Sequence, residues 1–129
     1  MERLAIGSGS RAEEICGYSR VVRVGESVAV AGTTAISEGD IPDDLAEQTR
    51  ICLRRVIDAL DAVGCRVGDV VRTRFFVTDI TDWQAVGRVH REVFADTRPA
   101  MTLVEVARLF DERLLVEVEV DAISPGDDH

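Results

Sequence analysis

Two stretches of the chain repeat their apolar residues at the spacing of an α-helix. Within 42–63 and again within 82–94, apolar side chains recur every three or four residues and therefore share one face of a helix. Gly64 is a typical residue to end the first helix, and Thr81 with Gln84 has the spacing of a capping box at the start of the second. The pattern predicts two amphipathic helices, each with one side available to a core.

The remaining apolar residues are typical of β-strands. Candidate strands are 3–6, 21–24, 27–31, 69–79, 101–109 and 114–123. Gly25 and Glu26 predict a two-residue hairpin turn, because glycine adopts the positive φ that the first turn position requires. The strand after the first helix is predicted to run parallel to an earlier strand through a crossover, and the last two strands are predicted to pair as a hairpin around 110–113.

The last strand predicts how the sheet is covered. One side of its alternating pattern carries the apolar residues Leu114, Val116, Val118, Val120 and Ala122, and the other carries the carboxylates Glu117, Glu119 and Asp121. Two helices can cover only one face of such a sheet, so the carboxylate face is left to water or to another subunit. We therefore predict an α+β fold in which a mixed six-stranded sheet carries two helices packed on one face.

Length and composition indicate one ordered domain. The chain has 129 residues, of which 46% are hydrophobic and 30% charged, a balance typical of a folded domain. We expect a single domain over 1–129. The short acidic tail 126–129 is expected to be disordered.

The charge balance argues against nucleic acid as a partner. Fifteen Lys and Arg stand against 24 Asp and Glu, which gives a formal net charge of -9. Binding to a polyanion depends on clustered basic residues, and here the overall field is of the wrong sign. No apolar stretch approaches the length of a membrane span or a signal peptide, so no membrane partner is expected and the predicted location is the cytoplasm.

Cysteine and histidine give no sign of a cross-linked or metal-bound protein. Cys16, Cys52 and Cys65 are odd in number and widely spaced, and the histidines are His90 and His129. We predict neither a disulfide framework nor a metal site, and no cofactor. His90 is expected on the surface of the second helix or half-buried there.

Three segments occur in a familiar order: GYSRVVRVGESVAVAGTTAI, VVRTRFFVTDITDWQAVGRVHREVF and RPAMTLVEVARLFDERLLVEVEVDAI. Together they resemble the reactive intermediate deaminase family of the YjgF type. The resemblance implies a chorismate-mutase-like fold and a homotrimer with a central barrel and the helices outside. It also implies small-molecule clefts between subunits, where the best-known members hydrolyse 2-imino acids or their enamine tautomers to 2-oxo acids and ammonia.

The resemblance assigns cleft roles to positions that match the family. These are Tyr18, Gly32, Thr33 and Glu119. Met101 stands where the family has the arginine that clamps the substrate carboxylate, Leu103 replaces a common cysteine, and Gly87 replaces an asparagine of the second helix. The scaffold is therefore expected to carry over without its carboxylate clamp.

Loss of that clamp changes the expected substrate. A buried carboxylate facing Met101 without a partner would lose about 3 to 5 kcal/mol, and about 1.4 kcal/mol is tenfold in affinity. Met101 and Leu103 are predicted to share a face with Glu119 across the last hairpin. They are expected either to pack at the subunit interface or to line a cleft for a neutral, cationic or apolar ligand.

Three arginines are candidates for a relocated cation. Arg20, Arg72 and Arg74 each have the alternative of pairing with surface acids, and Arg20 is preferred because it lies close to Tyr18. Glu119 is predicted to activate water, with an inter-subunit hydrogen bond as its alternative role, and Thr33 to act with it. Tyr18, Arg20, Gly32, Met101 and Leu103 are the predicted substrate-binding residues.

Two functions follow from these residues. The first is an imine or enamine deaminase-like hydrolase acting on a reactive metabolite other than a typical 2-imino acid. The alternative is a non-catalytic trimer that binds a metabolite or stabilises a partner enzyme. A ribonuclease is disfavoured, because the charge is negative and the chain lacks a histidine pair for acid-base cleavage.

Overall fold

One sheet carries almost every strand-forming segment of the chain. The structure is a computed structural model that describes residues 2–125, so the predicted tail 126–129 lies outside the described residues. The elements in chain order are β1 (Arg3–Ile6), α1 (Arg11–Cys16), β2 (Val21–Val24), β3 (Ser27–Thr33), α2 (Leu45–Ala62), β4 (Val70–Val77), α3 (Trp83–Phe94), β5 (Ala100–Glu105) and β6 (Val116–Ile123). Short 3-10 turns, Val67–Asp69 and Ile80–Asp82, lead into β4 and α3.

The sheet has six strands in the order β1-β2-β3-β6-β4-β5. All neighbouring strands are antiparallel except β4 and β5, which are parallel and joined through α3. The prediction of a mixed six-stranded sheet is confirmed, as is the hairpin of β2 and β3. Because β3 and β4 both run antiparallel to β6, they point the same way, as predicted for β4, but β6 lies between them.

The predicted hairpin of the last two strands is wrong. β5 pairs only with β4, whereas β6 inserts between β3 and β4. β5 also ends at Glu105 rather than at 109, after which the backbone N–H of Val106 donates to the carbonyl of Val77 and the chain leaves the sheet. Alternation identified both strands, but it carries no information about which strand becomes the neighbour of which.

The core lies between α2, α3 and one face of the sheet. The apolar side of β6 is buried as predicted, and Val116, Val118 and Val120 are each 0% exposed. They pack in one cluster with Phe75 of β4 and Leu53 of α2. The opposite face of the described sheet carries no helix from α2 or α3, which is the arrangement that the sequence predicts.

The helices begin later than predicted. α2 starts at Leu45 because the carboxylate of Asp44 accepts from the backbone N–H of Glu47 and caps the helix. The capping box predicted for the second helix is absent, since the cap residue of α3, Asp82, makes no side-chain capping bond. Instead the side chain of Asp79 caps the preceding 3-10 turn by accepting from the N–H of Thr81.

A buried glutamine joins α2 to the loop before β6. Gln48 is 0% exposed, and its amide Nε2 donates to the carbonyls of Pro42 and Arg113. Its Oε1 accepts from the backbone N–H of Leu115. These bonds satisfy a buried side chain and fix the entry of β6, the strand that presents the carboxylates.

Candidate functional site

The uncovered face of the sheet contains a shallow depression of about 460 Å³. Its walls include Tyr18, the first residue of β1, Arg3, and the β4 and β6 residues Arg74, Glu119 and Asp121. Two predicted site residues, Tyr18 and Glu119, therefore lie together on this face. A second depression beside α2, of about 410 Å³, contains none of the predicted site residues.

Tyr18 is positioned by α1, a helix that the sequence reading missed. The hydroxyl of Ser10 caps it by accepting from the N–H of Glu13, and the helix ends at Gly17, which has φ 74°. The carboxylate of Glu13 accepts from the backbone N–H of Ser8 and from the hydroxyls of Ser8 and Ser10. The signal was present, since Ser10 and Glu13 have capping-box spacing.

Arg74 ties the carboxylates of β6 together. Its Nη1 lies 3.3 Å from Glu119 Oε1 and 3.2 Å from Asp121 Oδ2. Arg72 Nε lies 3.8 Å from the same Asp121 oxygen. The salt-bridging alternative predicted for Arg72 and Arg74 is confirmed. These side chains are about two-fifths exposed, so each pair contributes little to stability, roughly 0 to 1 kcal/mol.

Arg20 is held in place by the end of β3. Its Nη1 donates to the carbonyl of Gly32 and to the hydroxyl oxygen of Thr33, both at 3.0 Å. Its guanidinium carbon lies 5.8 Å from the ring centre of Tyr18, a cation–π arrangement. The Thr33 hydroxyl donates to the carbonyl of Ala31 and is 2% exposed, so it orients Arg20 from below the surface.

Glu117 completes this group. The pairing of β3 with β6 shifts register between Val30 and Thr33, which brings Gly32 against the Glu117 side chain. A Cβ built on Gly32 would overlap the Glu117 carboxylate and lie 3.0 Å from its Cδ, so a larger residue there would displace the Glu117 side chain from its present position. Burial raises the pKa of Glu117 above its usual value, the charge of Arg20 lowers it, and that of Glu119 raises it further.

Met101 and Leu103 lie away from this group within one copy of the chain. They pair with Thr73 and Phe75 of β4, both fully buried, and so belong to the helix-covered face of the sheet. Glu119 pairs with Arg74, which pairs with Thr102, so Glu119 lies on the opposite face. The predicted shared face of Met101, Leu103 and Glu119 is wrong, because β4 separates the two strands.

Met101 is nevertheless accessible, since β5 is an edge strand and the side chain is 39% exposed. Behind it, Thr73 Oγ1 and His90 Nε2 are 2.9 Å apart. His90 is 9% exposed, contrary to the prediction of a surface or half-buried side chain, because the rings of Phe75 and Phe94 pack against it. Burial lowers the pKa of His90 below its usual value.

The cysteines are free. Cys52 and Cys65 are buried, which raises their pKa values to about 12 and about 11, while Cys16 is exposed. Among residues 2–125, no three His, Cys, Asp or Glu side chains are grouped to hold a metal ion. None of the helices within that same range is long and apolar enough to cross a membrane.

Comparison with known proteins gives this arrangement a family. The family profile described as Endoribonuclease L-PSP matches residues 9–124. The chain belongs to the YjgF-type reactive intermediate deaminase family. The sequence-based identification is therefore confirmed.

Individual members of the YjgF family are similar over nearly the whole chain. An uncharacterized protein of Streptomyces coelicolor is 41% identical over 120 residues, covering 91% of this chain and 89% of the relative. The 2-iminobutanoate/2-iminopropanoate deaminase of Escherichia coli is 34% identical over 112 residues, covering 83% and 85%. The crystal structure of a YjgF family member from Mycobacterium tuberculosis has a TM-score of 0.89 and 48% identity, covering 95% of this chain and 99% of that one.

Sequence reasoning gave Glu117, which lies beside Arg20 in this YjgF-type fold, no role in the candidate site. Glu117 and Glu119 occupy equivalent places in the alternating pattern, so the pattern alone gives no reason to prefer either. The register shift in β3 gives the two side chains different surroundings, because it places Glu117 beside Gly32 and Arg20 and leaves Glu119 beside Arg74.

Proposed function

We propose that the chain is an imine or enamine deaminase-like hydrolase that acts on a reactive metabolite other than a typical 2-imino acid. The observation that carries this proposal is the Glu117 carboxylate, half-buried beside Arg20 and Gly32 with a raised pKa and no hydrogen bond or ion pair to another described residue. Such a carboxylate is a stronger base than an exposed glutamate and is suited to accept and return a proton. The deaminase name of an Escherichia coli relative supports the reaction class.

The proposed cleft lies between copies of the chain in a homotrimer. Met101 and Leu103 are on the helix-covered side at the β5 edge, whereas Tyr18, Glu117 and Glu119 are on the uncovered face. One cleft can include both sets only if the β5 edge of one subunit meets the uncovered face of the next. Three such contacts with closed symmetry would gather the uncovered faces around a central barrel.

In the proposed reaction water adds to the carbon of the C=N bond. Glu117 takes a proton from the water as the new C–O bond forms and passes it to the nitrogen, which gives a carbinolamine. Glu117 then takes the proton of the carbinolamine hydroxyl and passes it to the nitrogen as the C–N bond breaks, so that the C=O bond forms and ammonia leaves. Thr33 orients Arg20 beside this centre, and Tyr18 with Glu119 forms the wall next to it.

Glu119 is the acid to which the sequence reading assigns the catalytic step, and that assignment stays a prediction. Its contact with Arg74 at 3.3 Å already occupies the carboxylate with an ion pair. Glu117 has no such partner among the described residues, so we assign the proton transfer to Glu117 and a structural role to Glu119.

The proposal is tested by ammonia release. Purified protein is supplied with imines generated in situ, both from amino acids and from amines without a carboxylate, and the rate is compared with that of spontaneous hydrolysis. We expect acceleration for imines without a carboxylate. If no imine or enamine in such a panel is hydrolysed faster with the protein than without it, the hydrolase proposal is refuted.

Met101 also motivates the alternative, a trimer that binds a metabolite without turnover. The substitution Met101→Arg separates the two, because it restores a guanidinium where the family has its clamp. If the proposed cleft retains its catalytic groups, Met101→Arg gains hydrolysis of 2-imino acids, measured as ammonia release. A variant that folds and assembles like the parent but gains nothing would favour the binding protein.

RNA cleavage is not proposed, although the matching family profile is described as an endoribonuclease. His90, the histidine within the described residues, is buried against Thr73 and has a lowered pKa. The net charge of -9 also opposes approach of a polyanion.

A further inference from the structure

We propose that Arg20 and Glu117 form a specificity pair that selects an uncharged imine or enamine carrying a carboxamide next to the C=N carbon. This inference rests on the proposed function, since it names the substrate class of the same site. A 2-iminocarboxamide has the required features: a carbonyl oxygen that accepts hydrogen bonds and, beside it, a nitrogen that donates. Its hydrolysis consumes one water and gives a 2-oxocarboxamide and ammonia.

The first support is the unused edge of the Arg20 guanidinium. Nη1 is anchored on the carbonyl of Gly32 and the hydroxyl of Thr33. Nε is buried and has no hydrogen-bond partner, and Nη2 makes no hydrogen bond to another described residue. Nε and Nη2 form one side of the planar fork, the side that grips an oxygen acceptor. A buried donor without an acceptor is costly, so an acceptor arriving at this side is stabilised.

The second support is the acceptor beside that edge. Glu117 lies close enough to Arg20 for the two charges to interact, yet the pair forms no direct salt bridge. The Glu117 carboxylate lies against Gly32, and the carbonyl of Gly32 accepts a hydrogen bond from Arg20. A ligand that accepts from Arg20 and donates an N–H to Glu117 therefore joins two groups that the chain itself leaves unconnected.

The third support is the local charge balance, which decides between a neutral and an anionic ligand. Four arginines lie at or beside this site: Arg3, Arg20, Arg72 and Arg74. Four acids match them: Glu117, Glu119, Asp121 and Glu13, which interacts with the charge of Arg20. The cations are thus already matched before any ligand binds, and a carboxylate ligand would bring an uncompensated charge next to Glu117.

The test compares the stable oxo analogues of the two substrate classes. Binding of pyruvamide and of pyruvate is measured by calorimetry on the wild-type protein, with ammonia release from 2-iminopropanamide and 2-iminopropanoate measured in parallel. We expect pyruvamide to bind at least about tenfold more tightly than pyruvate. Equal or tighter binding of pyruvate would overturn the specificity pair.

Two variants and a matched control identify the residues. Arg20→Gln is expected to weaken pyruvamide binding by about tenfold or more, whereas Arg72→Gln, which removes the same charge from the same face, leaves it unchanged. Glu117→Gln is expected to narrow the preference by improving pyruvate binding. Circular dichroism and native mass confirm that each variant is folded and assembled.

The outcomes separate this inference from the proposed function. A preference for pyruvamide that depends on Arg20, without ammonia release from either imine or from any other imine or enamine of the panel, supports the specificity pair and refutes the hydrolase. Ammonia release that is as fast or faster with the carboxylate imine supports the hydrolase and refutes the pair. Equal effects of Arg20→Gln and Arg72→Gln on pyruvamide binding would also refute the pair.

Discussion

At the scale of single residues, the environment of Glu117 sets the chemistry that the proposed site can perform. Its carboxylate is half-buried between Gly32, Arg20 and the neighbouring Glu119. Burial favours the neutral acid while Arg20 favours the ionised form, and burial is the larger effect. A carboxyl group with a raised pKa is a stronger base, once ionised, than an exposed glutamate.

Glu117→Gln is expected to lower the rate of ammonia release by about 10² to 10⁴ fold, the usual contribution of general acid-base catalysis. In the wild-type protein the rate should rise with pH through the raised pKa of Glu117, because the ionised form is the base. Steady-state rates over a pH series measure both effects. Glu119→Gln is the matched control. An equal loss of rate in that variant would contradict the assignment of the proton transfer to Glu117.

His90 is expected to make stability depend on pH. Its folded pKa is lowered by burial, so the unfolded chain takes up a proton at a higher pH than the native protein. The stabilisation is present above the ordinary pKa of 6.5 and is lost as the pH falls through 6.5 towards the lowered folded pKa. Denaturant unfolding of the wild type and of His90→Gln at pH 8 and 5.5 tests this. The variant should lose less free energy of unfolding over that interval.

At the scale of elements, the register shift in β3 brings Arg20, Gly32 and Glu117 together. It places Gly32 against Glu117 and directs the Gly32 carbonyl to Arg20. A regular strand would carry a side chain at that position and would fill the space of the carboxylate. Glycine at this position therefore leaves room for the Glu117 carboxylate.

Gly32→Ala is expected to cost less than about 1 kcal/mol of stability, because its methyl group meets only the Glu117 side chain, which can turn away. The effect should appear instead as slower ammonia release, since the carboxylate is displaced. Gly87→Ala provides the opposite case, since a Cβ at Gly87 in α3 meets nothing within 4 Å. That change should stabilise by about 0.5 to 1 kcal/mol, from the greater helix propensity of alanine. Denaturant midpoints measure both changes in stability, and ammonia release measures the displacement of Glu117. Ammonia release by Gly32→Ala at the wild-type rate would contradict the packing described for the β3 shift.

The elements also show what sequence could and could not predict. The alternation of apolar and polar residues located β6 and its buried side, because Val116, Val118 and Val120 all project to one face of the strand and are buried there. The same alternation paired β6 with β5, since a local hairpin is the simplest connection, whereas the sheet places β4 between them. Strand order depends on long-range packing of α2 and α3, which no local pattern records.

The candidate site was predictable to a similar degree. Tyr18, Arg20, Gly32 and Thr33 are close in sequence and the structure brings them together around one guanidinium. Met101 and Leu103 were assigned to the same face as Glu119 through the mistaken hairpin and lie on the other side of the sheet. Distinguishing Glu117 from Glu119 needed the β3 register, a feature that is invisible in the amino-acid pattern.

At the scale of the whole molecule, the proposed site requires more than one copy of the chain. The β5 edge with Met101 and the uncovered face with Glu117 belong to opposite sides of one sheet. The proposed trimer brings them together by placing the edge of one subunit on the face of the next. Some acids and arginines of the uncovered face would then form ion pairs with one another, and others would line the cleft.

The most direct test of the shared cleft is subunit complementation. Met101→Asp and Glu117→Gln are each expected to slow ammonia release strongly, because the first puts a charge on the apolar wall and the second removes the proton acceptor. When the two variants are unfolded together and refolded as mixed trimers, about a quarter of the clefts should regain both native residues, and activity should return in proportion. Mixed trimers no more active than the two parents would contradict a cleft built from neighbouring copies.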